Sequence, residues 1–186
     1  MTWLFRTLDI IRIPWLIEVC WRLTTWPSKL TAQEIAEATR VLGGDSIDFA
    51  SVRVAHGGLL PLFFKLNKGR AFVLFRTVNL PRSGRASRKN LDILTHELVH
   101  VFQYQLVGSV YIWQALKAQR TEGYGYGGWE ALAEDPRPAY WSFNREQQGQ
   151  IVQDYYRLVL TAGLEDSDPI LLAYEPLIEE LRRGEL

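Results

Sequence analysis

Apolar residues recur at intervals of three and four between positions 90 and 107, and this is the clearest periodic pattern in the chain. Leu94, Leu98 and Val101 follow the period, which places them on one face of a helix. Gly108 comes directly after the last periodic residue and is a natural helix stop. We therefore predict a long helix across this segment.

Capping residues predict most of the other helices. Thr31 and Glu34 have the spacing of a capping box, and that helix should stop at the Gly43-Gly44 pair. Asn144 is a good first cap for a helix that runs to about residue 161. The remaining predicted helices begin at Val110 and at Asp168-Pro169, and Pro176 should disturb the last one.

Short runs of β-forming residues predict a small sheet. Residues 52–54 and 70–75 have this composition, and the second strand is expected to continue to about Leu80. Residues 123–128 contain four glycines and should form a loop. The predicted fold is a mainly helical α+β domain with a small sheet beside the helix of residues 90–107.

The first 29 residues combine four tryptophans with charges that interrupt every apolar run. Arg6, Asp9 and Arg12 lie three apart, which predicts a polar stripe on an apolar helix that Pro14 ends or bends. No apolar stretch reaches the roughly 20 residues of a membrane span. We expect this segment to pack against the domain body or a partner protein. Peripheral contact with a membrane interface is the less favoured alternative.

Composition and charge restrict the class of protein. The chain is 47% hydrophobic, and its 21 basic and 21 acidic residues balance, so we expect a globular domain over residues 30–186 and no nucleic-acid partner. Cys20 is the only cysteine and cannot form an internal disulfide. Without a recognisable signal peptide, the chain is expected to be cytoplasmic as synthesised, and any export would proceed without signal cleavage.

The predicted helix of residues 90–107 contains the pattern H-E-x-x-H, formed by His96, Glu97 and His100. Two histidines four residues apart lie one helical turn apart, so both imidazoles can reach one cation. Zinc accepts imidazole nitrogen and keeps a position for water at catalytic sites. Glu97 lies about 100° around the helix from His96, which suits a general base for that water.

A tetrahedral catalytic site needs a third protein ligand, and Glu146 in the first turn of the helix after Asn144 is our candidate. Gly149 would let that helix approach another closely. Gln150 could hold the tautomer of a ligand histidine, and Asp154 is a weaker candidate for the same role. The rival third ligands are Glu122, Glu130 and Glu134.

A hydrolase of this type also needs a donor that stabilises the oxyanion of the transition state. Tyrosine, histidine and arginine can serve, and the tyrosines have packing as an alternative role. The candidates are Tyr124, Tyr126, Tyr140 and His56.

Three parts of the chain resemble one protein family: residues 30–35 with 44–54, residues 95–105 and residues 144–156. They are similar to gluzincin-like zinc metallopeptidases found in bacteria beside Vgr and Rhs components of type VI secretion, and in cargo of extracellular contractile injection systems. The resemblance implies that the two motif histidines and Glu146 bind zinc and that Glu97 is the base. It departs at the Trp-rich start, after Gly163, and at Gly149, where a small residue such as alanine is usual.

The sequence thus predicts a zinc-dependent enzyme that hydrolyses peptide or protein substrates, possessing Glu97 as its base. A binding or adaptor module of a secretion system, in which zinc only stabilises the fold, is the alternative. A hydrolase of non-peptide amides would use the same site.

Overall fold

The computed structural model describes residues 2–44, 46–134 and 138–185. Helices account for most of them: α1 (Thr2–Ile10), α2 (Ile13–Thr25), α3 (Ala32–Leu42), α4 (Leu60–Leu66), α5 (Leu91–Val107), α6 (Val110–Arg120), α7 (Gly128–Ala133), α8 (Arg145–Tyr155) and α9 (Pro169–Arg182). A 3-10 turn, Tyr140–Ser142, precedes α8, and a π-helical turn, Tyr156–Leu160, continues it. Within these ranges, no helix is both long enough and apolar enough to cross a membrane.

The sheet has four short strands: β1 (Pro27–Ser28), β2 (Arg53–Ala55), β3 (Phe72–Leu74) and β4 (Thr77–Asn79). Their order is β1-β2-β4-β3, and only the β2–β4 pair is parallel. Both β3 and β4 pack beside α5. The prediction of a mainly helical α+β fold with a small sheet beside the motif helix is therefore confirmed.

The prediction of one strand from residue 70 to about residue 80 is wrong, because β3 and β4 form a hairpin. The chain reverses at Phe75, whose backbone has a φ of 57°. The Phe75 side chain is buried, and its ring lies 5.3 Å from that of Tyr104 on α5. Burial of this ring offsets the strain of a left-handed backbone at a non-glycine residue.

The predicted helix starts are confirmed by their hydrogen bonds. Thr31 and Glu34 form the reciprocal capping box of α3, which ends at Gly43. The Asn144 side chain accepts hydrogen bonds from the backbone N–H groups of the first turn of α8. Asp168 caps α9, which continues through Pro176 without interruption. These caps stabilise helix ends that would otherwise leave N–H groups unpaired.

Helices α1 and α2 are separated at Arg12, which has a φ of 56°, and Pro14 lies in the first turn of α2. Both helices contact the rest of the chain. The Asp9 carboxylate accepts hydrogen bonds from the backbone N–H and the hydroxyl of Ser109, and Trp21 Nε1 donates to Asn79 Oδ1 on β4. The first 29 residues also contribute β1. Their separation from residues 30–186 as a distinct unit stays a prediction.

The centre of the fold is the packing of α5 against α8. Every residue of α5 from Leu94 to Gln103 is buried, so this helix is covered on all sides by its neighbours. Leu98 and Phe102 of α5 share one hydrophobic core with Ile151 and Val152 of α8. Polar groups on the facing surfaces of these two helices are therefore enclosed in the interior.

Candidate metal centre

The two motif histidines lie one turn apart on α5, as their spacing predicts. The ring centroids of His96 and His100 are 4.9 Å apart, with the ring planes close to perpendicular. Both side chains are buried. Buried imidazoles that face each other in this way need a shared polar partner.

That partner is Glu146 on the first turn of α8. Its Oε2 lies 3.7 Å from His96 Nε2 and 3.5 Å from His100 Nε2. Two ligands of one tetrahedral zinc ion are separated by roughly 3.3 Å. The three side chains form a buried group whose ligand atoms all lie within 4.8 Å of one another. The predicted convergence of His96, His100 and Glu146 is confirmed, and this triad could hold a metal ion.

The rival ligands do not belong to this group. Among the described residues, it contains neither the acids of the stretch between α6 and α8 nor His56. Glu122 instead accepts a hydrogen bond from the Asn144 side chain. The rivals thus excluded from the triad are Glu122, Glu130 and Glu134.

Gly149 allows α8 to lie against the imidazole of His96. A Cβ atom at this position would be 2.8 Å from His96 Cε1 and 2.9 Å from His96 Nε2. Such distances are shorter than van der Waals contact. The predicted close approach of α8 at Gly149 is therefore confirmed, and it is directed at a ligand histidine.

His100 is oriented by Gln103, which sequence reasoning did not assign to the site. Gln103 Oε1 lies 2.9 Å from His100 Nδ1. Gln103 Nε2 donates to Gln148 Oε1 and to the backbone oxygen of Arg145 on α8. Because the amide donates through Nε2, its oxygen accepts from Nδ1–H of His100, and Nε2 is the ring nitrogen that faces Glu146. The three-residue spacing of His100 and Gln103 on one helix is a signal that could have identified this pair.

The expected contacts of Gln150 and Asp154 with the ligand histidines are not formed. Gln150 Nε2 donates to Asp154 Oδ1. Asp154 also accepts hydrogen bonds from Tyr126 and Arg157. Gln150 and Asp154 lie one turn apart on α8, so their side chains bond each other, and His96 Nδ1 has no hydrogen-bond partner among the described residues. For both residues the prediction is corrected.

Glu146 is oriented from α6. Gln119 Nε2 donates to Glu146 Oε1 over 2.9 Å, which leaves Oε2 as the oxygen that faces the imidazoles. Burial would raise the pKa of Glu146, but His100 and His96 outweigh it and hold this pKa well below its usual range. Burial likewise opposes protonation of His100, yet the Glu146 charge raises the pKa of His100 to about 9. A divalent cation would take the place of this proton in front of the same carboxylate.

Glu97 is buried beside the triad but is not part of it. Its Oε2 has no hydrogen-bond partner among the described residues. Burial raises the pKa of Glu97, with a further increase from the Glu146 charge, against the opposite effect of the two histidines. A buried carboxyl group without a partner is unfavourable for stability.

Two cavities give access to this centre, and Glu97 and Tyr124 line both. The first has a volume of about 290 Å³ and is also lined by His100 and Glu146. The second has a volume of about 420 Å³ and is also lined by His96. Residues 71–73, at the start of the edge strand β3, form part of the first wall. The centre therefore opens to a cleft that is bordered by a free sheet edge.

Of the four candidate oxyanion donors, the structure brings Tyr124 to the cleft. Its ring centroid lies 5.9 Å from that of His96. The loop that carries it is bound to the start of α8, because Gln147 Nε2 donates to the Gly125 carbonyl and Asn144 Nδ2 donates to the Gly123 carbonyl. Burial, together with the charges of Glu146 and Glu97, raises the pKa of Tyr124, so its hydroxyl keeps its proton at neutral pH.

The expectation that Tyr140 or Tyr126 stabilises the oxyanion is corrected. Tyr140 is fully buried, and its hydroxyl donates to the backbone oxygen of Gln148, where it supports the network that orients His100. Tyr126 donates to Asp154 and shares a hydrogen bond with Tyr174. Both hydroxyls are thus engaged away from the triad.

Tyr111 of α6 is a further residue at the centre that the sequence did not indicate. Its ring centroid lies 5.5 Å from that of His100, and it lines the same cavity as Glu97. Nothing in the spacing of α6 distinguishes it from a core tyrosine, so only the packing of α6 beside α5 identifies it.

Comparison of the chain with protein-family profiles, curated proteins and solved structures finds no significant match. The resemblance to secretion-associated metallopeptidases therefore stays a prediction. The function of the chain is therefore inferred from the triad, from Glu97 and from the cleft.

Proposed function

We propose that the chain is a zinc-dependent hydrolase that cleaves peptide bonds. The observation that carries the proposal is the convergence of His96, His100 and Glu146 beside Glu97, whose Oε2 is buried without a partner. Two imidazoles and one carboxylate are a ligand set of catalytic zinc. Zinc held there would supply a water of lowered pKa and polarise the scissile carbonyl.

Glu97 is the general base of this proposal. It follows His96 on α5 and therefore points beside the ligand position instead of into it. It lines both cavities of the cleft, so it can take a proton from the attacking water and deliver it to the leaving amine. A zinc site that only stabilised the fold would have no use for a partnerless buried acid.

The substrate class follows from the wall of the cleft. In the sheet order, β3 has a neighbour on one side only, and residues 71–73 line the cavity that contains Glu146. An extended peptide can pair with such a free edge through its backbone. This edge favours a polypeptide over a compact amide as the substrate, because a peptide backbone could lie along it in the cleft.

The test compares the wild type with Glu97→Gln on libraries of quenched fluorescent peptides and on denatured proteins. We expect one zinc ion bound per chain in both, and a loss of turnover of roughly 100-fold or more in the variant, because proton transfer is lost while the ligands remain. Glu130→Gln, a change of an exposed acid on α7, is the matched control and should keep full activity. Equal cleavage by wild type and Glu97→Gln would refute the mechanism. Zinc binding without any cleavage by the wild type would support a zinc-stabilised binding module instead.

A further inference from the structure

Helix α2 packs against the protein with its polar side. Glu18 and Thr25 are buried, and the Glu18 carboxylate accepts hydrogen bonds from Arg22, from the Thr77 hydroxyl and from the backbone N–H of Arg76. Arg22 also donates to Thr77 Oγ1. A helix on the surface of a protein in water normally buries its apolar side. On α2, Glu18 and Thr25 are buried together with Pro14, and Trp21 packs on the rings of Phe63 and Phe72, whereas most of the other large apolar side chains point outward.

The apolar side of α2 is consequently uncovered. Six exposed residues form what we call the apolar face. Four are on α2, and two are in or next to the first turn of α4: Trp15, Leu16, Ile17, Leu23, Leu59 and Leu62. Trp15 is 59% exposed and Leu23 is 77% exposed. The two helices are neighbours, because the backbone N–H of Leu59 donates to the Thr24 carbonyl. Six large apolar side chains that are exposed on two neighbouring helices indicate a binding partner.

Exposed basic residues lie close in the chain to the apolar face, and Arg12 lines a cavity together with Trp15. Arg6, Arg12, Lys65 and Lys68 are exposed, and none of them forms an ion pair with an acid that the structure describes. The nearby acids are directed inward, Glu18 to Arg22 and Asp9 to Ser109. Although the basic and acidic residues of the whole chain balance, they are unevenly distributed: residues 1–91 contain 14 basic and 6 acidic residues.

We propose that the apolar face binds the surface of a lipid bilayer that contains anionic lipid. An apolar strip with tryptophan and a basic border is the composition of helices that lie in a membrane interface. Anionic head groups would complement the exposed bases through electrostatic attraction near the membrane surface. A second copy of the chain would instead bring the same bases against one another.

This mode of binding places the cleft close to the bilayer. Leu66 and Asn67, at the C-terminal end of α4, line a further cavity together with Tyr124. Asn67 also lines the cavity that contains Glu146. A protein held by α2 and α4 would therefore present the mouth of its cleft beside the membrane.

The first test measures flotation of the full chain with vesicles of phosphatidylcholine, with and without phosphatidylglycerol. We expect binding to the anionic vesicles and a loss of affinity of roughly tenfold or more in Leu16→Ser/Leu23→Ser, because two apolar contacts with the interface are lost. Trp141→Ser/Leu172→Ser changes two side chains of similar exposure elsewhere and should bind as the wild type does. Equal loss in both double variants, or no binding of the wild type to either vesicle, would overturn the proposal.

The second test changes the charge. Lys65→Glu/Lys68→Glu should weaken binding to anionic vesicles by roughly tenfold or more, whereas Lys117→Glu/Arg120→Glu on α6 should not. Glu97→Gln should bind vesicles as the wild type does, so loss of the proposed enzymatic activity is distinguishable from loss of membrane binding. A wild type that forms dimers without binding vesicles, with the Leu16→Ser/Leu23→Ser variant monomeric, would overturn the proposal and assign the apolar face to a second copy.

Discussion

Gly149 is the residue at which packing and metal binding are most directly connected. Alanine is the better helix former by about 1 kcal/mol, so helix propensity alone predicts that Gly149→Ala stabilises α8. The added Cβ would nevertheless lie 2.8 Å from His96 Cε1, and the imidazole would have to move away from Glu146. We expect the affinity for zinc to fall by roughly tenfold or more, as measured by competition with a chromophoric chelator.

Gly44→Ala is the matched control for this prediction. A Cβ at Gly44 meets only the Thr39 methyl group, at 3.9 Å, and the position is far along the chain from the triad. This variant should keep the zinc affinity of the wild type. Unchanged zinc affinity in Gly149→Ala would show that α8 can move back without disturbing His96.

Tyr124 provides the second prediction at this scale. Its ring lies beside His96 and lines both cavities, where its hydroxyl can donate to the oxyanion of the transition state. Under the proposed function, Tyr124→Phe should lower kcat by roughly 100-fold and leave zinc content unchanged, since one oxyanion donor is lost. Steady-state kinetics on a cleaved peptide measures this effect.

Tyr126→Phe is the control for this prediction. It removes a hydroxyl that bonds Asp154 and Tyr174, and its kcat should stay near that of the wild type. Equal losses in the two variants would argue against a role of Tyr124 in the transition state.

At the scale of elements, Glu34 connects α3 to the loop that precedes α5, through hydrogen bonds with Arg88. Both carboxylate oxygens of Glu34 accept hydrogen bonds from Arg88, at 2.6 and 2.7 Å, and Oε2 also accepts from the backbone N–H of Thr31. Burial would raise the pKa of Glu34, but the hydrogen bonds from Arg88 and Thr31 outweigh it and lower this pKa below its ordinary value. The ionised carboxylate is therefore the form that stabilises the fold.

Glu34→Gln should lower the free energy of unfolding at neutral pH by about 1.5–3 kcal/mol, as expected for hydrogen bonds to a charged group. A carboxyl group with a lowered pKa in the fold contributes stability above its unfolded pKa and loses it as the pH falls through the folded pKa. The difference between wild type and variant should accordingly shrink below about pH 4.5. Urea unfolding at several pH values measures this difference.

Glu37→Gln, which breaks an exposed ion pair on the same helix, is the control and should change the free energy of unfolding little. A pH-independent difference between the wild type and Glu34→Gln would contradict the role of the ionised Glu34 carboxylate.

Helices that begin at a capping residue could be predicted from the sequence, whereas elements whose ends have no such residue could not. Thr31, Asn144 and Asp168 have side chains that bond the first N–H groups of a helix, so local chemistry determines those starts. The reversal at Phe75 has no glycine to mark it, because its cause is a tertiary contact with Tyr104. Helix α4 has apolar residues all around and only seven positions, which leaves no period to detect.

The same distinction applies to the metal centre. His96, Glu97 and His100 lie within one turn of the same helix, so their relative positions follow from helical spacing. The resemblance to gluzincins, in which a helix after the motif helix supplies a glutamate, favours Glu146 as the third ligand, and the structure brings Glu146 to the histidines. The residues that orient the ligands come from three helices, and their roles depend on packing that a sequence pattern does not contain.

For the whole molecule, the triad connects two helices that are distant in the chain but central in the fold. His96 and His100 belong to α5 and Glu146 belongs to α8, and the contact between these two helices is the most extensive in the structure. A metal ion bound to all three residues would link the helices directly. In the absence of the metal, a proton on His100 is the counter-charge of Glu146, and the Glu97 carboxyl group stays buried with an Oε2 that has no partner among the described residues, which is unfavourable.

Removal of the metal should therefore lower the stability of the entire fold. A ligand that binds only the folded chain adds RT ln(1 + [L]/Kd), which is about 2.7 kcal/mol at a free concentration 100-fold above Kd. For a chain of this size, that corresponds to a change in Tm of roughly 5–10 °C. Calorimetry of the zinc-loaded protein and of protein dialysed against EDTA measures this difference, and re-addition of zinc should restore the Tm. His96→Ala should show no response to zinc, because among the described residues three side chains converge and His96 is one of them. An equal Tm with and without metal in the wild type would mean that the triad does not bind zinc in the folded protein.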